Sequence, residues 1–145
     1  MHAGIEGRLD QKPDFVETAR RYGIRLVLQF GSTVAGTSHP MSDVDIAVQF
    51  DHPDVSLRVL VEVSEELEKL IPDKKIDLAV LNRADPLFLK QVMDRCRLLF
   101  GRPQDLARLR MYAFKYYQDH RRFLAMERRF VGDRLAALCD GLQRP

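Results

Sequence analysis

The chain has 145 residues, 46% of them apolar and 30% charged, with a net charge of +2. This balance fits one domain able to bury roughly 70% of its unfolded surface, and it excludes a fibrous or low-complexity chain. No apolar run approaches the ~20 residues of a membrane span, no secretory leader pattern is visible, and Cys96 and Cys139 have neither framework nor metal-ligand spacing. The expected location is therefore cytoplasmic.

The charge is unevenly spread. Residues 1–100 carry 13 Lys/Arg against 16 Asp/Glu, whereas residues 101–145 carry 10 against 5. The basic end is read mainly as a solvated helix face. Nucleic-acid binding is not expected, because net charge is small and no reading motif appears.

In chain order, "IEGR" at residues 5–8 resembles a protease site used for expression. Residues 1–8 are accordingly expected to be vector-derived or disordered and are given no role. "PDFVETARRYGI" predicts a first helix that stops at Gly23. "RLVLQF" predicts a short apolar strand. A loop with Gly31, Ser32 and Gly36 follows, and "DVDIAVQF" predicts a second strand. "DVSLRVLVEVSEELEKLI" has helical spacing, with Leu57, Leu60, Val61, Ser64 and Leu67 on one stripe. "KKIDLAVLN" predicts a third strand. Asp85 and Pro86 have the chemistry of a helix start, and "RLLF" suits a short fourth strand. From Pro103 to Leu138 the pattern is helical, with Leu106, Leu109, Tyr112, Tyr116, Phe123, Met126 and Phe130 in three- and four-residue steps and a break or kink expected at Gly132-Asp133. The predicted fold class is α/β (α+β): a small mixed sheet of three to four strands with flanking helices. The core spans 9–101, and 102–145 form a helical extension packed on the core or on a partner.

Three carboxylates carry the chemistry. Asp43 and Asp45 lie two apart on a strand, so both leave one face. Like charges so close repel, and a hard divalent cation relieves the repulsion. Mg²⁺ takes one or two carboxylates together with substrate phosphates. Asp77 interrupts the apolar strand "KIDLAV", where burial without a partner is costly. If that strand lies beside the second, Asp77 completes a three-carboxylate cluster that holds metal and accepts a proton from a nucleophile. Gly31 lets backbone approach a ligand closely. With the Ser32 hydroxyl and the N–H groups after it, it forms a phosphate-binding corner. The loop lacks the Gly-Lys-Ser/Thr of a Walker motif. His39 is read as an exposed loop residue. His120 has no second ligand at zinc spacing, and Tyr112, Tyr116 and Tyr117 are read as packing residues.

Residues 31–45 match G-S-x10-D-x-D, and here the chain resembles the DNA polymerase beta-like nucleotidyltransferase superfamily, in particular its minimal nucleotidyltransferase (MNT) branch. The likeness covers roughly residues 14–100 and extends more weakly to "YAFKYYQDHRRFL". It implies a polymerase beta-like core and a protein adenylyltransferase that moves AMP from ATP to a hydroxyl, with two Mg²⁺ ions. Gly31 and Ser32 would hold the triphosphate, Asp43 and Asp45 both metals, and Asp77 one metal and the nucleophile. It also implies an antitoxin role in a toxin–antitoxin system: AMPylation of a tyrosine on a partner HEPN-domain RNase toxin. Homodimer and hetero-oligomer with the toxin both stay open. One departure stands out. MNT loops commonly read G-S-x-A-R-G, whereas "GSTVAG" places Ala35 at the arginine position; Arg83 or an arginine of the last helix is a substitute source of charge. Two alternatives are a non-catalytic antitoxin that acts by steric occlusion, and transfer to a small molecule or RNA end.

Overall fold

The structure, a computed structural model, describes residues 5–31, 34 and 43–142. A short 3-10 turn at Leu9–Gln11 leads into α1 (Pro13–Tyr22), β1 (Ile24–Phe30) and β2 (Val44–Phe50). Next come α2 (Leu57–Glu68), β3 (Ile76–Val80), α3 (Pro86–Asp94), β4 (Cys96–Phe100) and α4 (Pro103–Leu142). The helix boundaries follow local chemistry. Pro13 opens α1, and Gly23 closes it in the left-handed conformation at φ +68°, its N–H donating to the Ala19 carbonyl. Ser56 caps α2 by accepting from the Val59 N–H. Asp85 caps α3 by accepting from the Phe88 N–H at 2.8 Å, with Pro86 at the first helical position.

Among the described residues the sheet has the order β3-β2-β1-β4. β1 is antiparallel to both β2 and β4. β2 and β3 run parallel, and α2 supplies the crossover this requires. Alternation along the strands gives the sheet two apolar faces. Val27, Val44, Ile46, Val48 and Leu99 pack toward α1 and α2 with Phe15, Ala19, Val63 and Leu67. Leu26, Leu28 and Ala47 pack toward α3 and α4 with Leu89, Val92, Leu106, Leu109 and Ala113.

Ile5, inside the stretch expected to lie outside the fold, is 1% exposed and belongs to the first core cluster. Its carbonyl accepts from Arg97 Nη2, which also donates to Oε1 of the buried Gln29 at 2.7 Å. Arg8 donates to the Gly101 carbonyl at 2.7 Å. A bare protease-site reading overlooks that a lone isoleucine before a turn can serve as a core plug.

Three further expectations need correcting. In α2 the buried positions are Val63 and Leu67, while Leu57 and Val61 are exposed, so the stripe is rotated from the one spacing suggested. Asp77 is exposed, because β3 is an edge strand; burial does not explain it. Gly132-Asp133 leaves α4 unbroken over 40 residues. A Cβ at Gly132 would meet nothing within 4 Å, and a solvent-facing glycine weakens a helix by only about 1 kcal/mol.

Candidate active site

The three aspartates meet at one end of the sheet. Parallel pairing of β2 and β3 puts Asp45 directly beside Asp77 in register. Asp43 stands one residue before β2. Asp45 shares its face with Ala47, the face that α3 and α4 cover. Across that face the pairing continues from Asp45 to Phe30 and from Phe30 to Cys96. A row thus crosses the sheet from Asp77 through Asp45 and Phe30 to Cys96. The Phe30 ring meets Phe88 of α3 edge-on at 5.8 Å, which gives the row an apolar floor.

Gly31 follows β1 and sits against this cluster at φ +79°. A Cβ built there would lie 2.2 Å from Asp45 Oδ2. Both conformation and space therefore demand glycine. The Gly31 carbonyl accepts from the Val34 N–H at 3.2 Å. Ser32, Ala35, Gly36 and His39 lie outside the described residues.

Electrostatics tie the trio together. The Asp45 carboxyl is held above the ordinary carboxylate range, first by burial, then by the negative charge of Asp77, then by that of Asp43. A site that crowds three acids at unfavourable energy is one that awaits positive charge. The donors are all carboxylate oxygens, the kind a hard ion such as Mg²⁺ prefers. Among the described residues no three acidic, histidine or cysteine side chains already converge on a single ion position. The aspartates are neighbours in register rather than a closed cage.

Of the two arginine sources considered in place of Ala35, Arg83 is at the wrong end. It follows the far end of β3 and pairs with Asp54 at 2.8 Å. Arg110 of α4 is at the right end, with Nη2 3.7 Å from Cys96 Sγ, the last member of the row. Sequence narrows the choice to an arginine of the last helix but does not single out Arg110, since nothing in a helix pattern says which strand end it overhangs. Tyr112 and Tyr116 stack at 5.4 Å, and Tyr116 meets the His120 ring at 4.5 Å; His120 Nδ1 is 2.9 Å from the Tyr116 carbonyl.

The mixed sheet thus carries an acidic pair at the start of β2, a third acid beside it on β3 and a glycine corner after β1. Residues 14–105 match the family described as Polymerase beta, Nucleotidyltransferase, and the chain belongs to it. No curated protein sequence matches. Among solved structures the chain is similar to a toxin–antitoxin crystal structure with AMP-PNP. The identity is 26% and the TM-score 0.65, with 87% of this chain and 98% of that one covered. A mutant of the toxin–antitoxin pair MntA-HpeT gives 25% identity and a TM-score of 0.64, covering 85% and 96%. A tri-AMPylated Shewanella oneidensis HEPN toxin in complex with MNT antitoxin gives 23% and 0.59, covering 85% and 93%, a likeness of fold. No helix among the described residues is long and apolar enough to cross a membrane.

Proposed function

We propose that the protein is an Mg²⁺-dependent antitoxin that transfers AMP from ATP to a tyrosine hydroxyl of a partner HEPN RNase toxin and thereby neutralises it. The observation that carries the reading is the register pair Asp45–Asp77 with Asp43 beside it, where crowding already lifts one carboxyl. The AMP-PNP and tri-AMPylated complexes among similar structures support nucleotide and acceptor class. Asp43 and Asp45 would hold two Mg²⁺ ions, with Asp77 contributing to one, and the bound metal would supply positive charge for the triphosphate and the departing pyrophosphate.

The chain's own residues do the rest. Gly31, lacking a side chain, lets the triphosphate approach the carboxylates, and Ser32 binds a phosphate oxygen. The Asp77 carboxylate, on an exposed edge strand, accepts the proton of the incoming hydroxyl. The hydroxyl oxygen bonds to the α-phosphorus as the bond to pyrophosphate breaks. Arg110 supplies the cation that Ala35 does not.

The test is transfer from α-labelled ATP with Mg²⁺, with and without the HEPN partner. Label on the partner that vanishes in Asp43→Ala is the expected result. A partner bound and inhibited without label under any metal or nucleotide would establish steric occlusion instead. Label on RNA ends or a small molecule, but never on protein, would reassign the acceptor.

A further inference from the structure

The distal part of α4 is an amphipathic arm against which no core cluster of the described residues packs. Leu106, Leu109 and Ala113 are buried on the core, and Tyr116 is partly so. Beyond His120 the same helical face continues into solvent through Phe123, Val131, Leu138 and Leu142, flanked by Phe130. Phe123 is 60% exposed and Phe130 64%. Arg121, Arg122, Arg128 and Arg129 lie on the other side. A helix whose packed face runs on for some twenty residues past its own core is built to meet another surface.

Two charges interrupt that apolar face, Glu127 and Arg134. They are seven residues apart, about 10 Å along the helix. Among the described residues neither has an ion pair, and Arg134 lies over the Phe130 ring at 5.4 Å. Their positions are symmetric about the bond between Phe130 and Val131. Two arms laid antiparallel about that point would place each Glu127 level with the other arm's Arg134. The same operation sets Phe123 level with Leu138, and Phe130 with Val131. Apolar meets apolar, and the two charges on the stripe neutralise each other twice.

We infer that this arm is the two-fold interface of a homodimer, in which α4 of a second copy packs antiparallel with its centre at Phe130–Val131. Such an interface is isologous: one patch complements itself. An arm of residues 118–142 is about 37 Å long, a length over which two helices bury an area approaching the ~800 Å² per partner of a stable interface.

Analytical ultracentrifugation of the full chain over nanomolar to high micromolar concentration tests this. The wild type should be a concentration-dependent dimer. Glu127→Arg sets arginine against arginine, and Arg134→Glu sets glutamate against glutamate. Each should weaken dimerisation at least about tenfold. The double variant should recover most of the loss, since the pair is restored in reverse. Both positions are exposed, so circular dichroism should show unchanged folding. A monomer at every concentration overturns the inference. So does a dimer indifferent to both single changes, a double variant no better than the singles, or an arm that becomes protected only when a HEPN-type partner is added.

Discussion

At the scale of single residues, Asp45 sets function against stability. Its folded carboxyl titrates above the ordinary value because of burial, Asp77 and Asp43, in that order. A raised acid favours the folded state while protonated. Its contribution is intact below the unfolded carboxylate range and is lost as pH climbs through the raised folded value. Metal-free Asp45→Asn should therefore melt a few degrees above wild type at neutral pH, and the advantage should disappear under acid. The same variant should lose transfer by at least about a hundredfold. Thermal melts across pH, paired with label transfer, check both halves; an Asn variant no more stable at pH 7 than wild type would refute the crowding account. Gly31→Ala meets two obstacles at once: φ +79° and a carboxylate oxygen 2.2 Å from the new Cβ. It should cost on the order of 1–3 kcal/mol in denaturant unfolding and lower transfer, because the strain is relieved only by moving Asp45. Arg110→Ala should raise the KM for ATP roughly tenfold with an unchanged melt, as loss of one exposed charge contact predicts.

At the scale of elements, legibility tracked how local each determinant is. Gly23, Asp85 and Pro86 mark helix ends by chemistry within one turn, and all of them act as their residue types suggest. Asp85→Ala should accordingly cost about 1 kcal/mol by chemical denaturation. The strands were readable too, including the short β4. The Asp-x-Asp spacing located the acidic end of β2, and an acid inside "KIDLAV" drew attention to Asp77. Burial does not account for Asp77, however. An edge strand tolerates an exposed acid freely, so composition cannot tell an edge from a centre. The α2 stripe failed for a related reason: Leu57 and Val61 fit the period as well as Val63 does, and the choice of buried face depends on where β2 and β3 lie. Ile5 was missed because its partners, Arg97 among them, stand over ninety residues away in sequence.

At the scale of the whole molecule, the 40-residue α4 divides into two regimes that its sequence does not announce. The apolar period runs from Leu106 to Leu142, interrupted beyond the core by Glu127 and Arg134, yet burial stops near Tyr116. Among the described residues, only the first third of α4 has a core to hold it. An isolated helix beyond that point draws little stability from propensity alone, since most helical stability in proteins comes from packing an apolar face. Amide hydrogen exchange should therefore show a step along α4. Amides of residues 106–116 should be protected nearly as well as β1, which lies at the centre of the sheet. Those beyond about residue 120 should exchange orders of magnitude faster at nanomolar protein, where the chain is monomeric. Raising the concentration should slow exchange over residues 123–138 and leave β1 unchanged, because pairing of arms adds protection only where apolar surface is newly covered. Substituting Phe130→Ser should remove that concentration dependence while the melt of the core stays put. Uniform protection along α4 at every concentration would mean that the arm holds itself without a second copy, and the division into two regimes would fall.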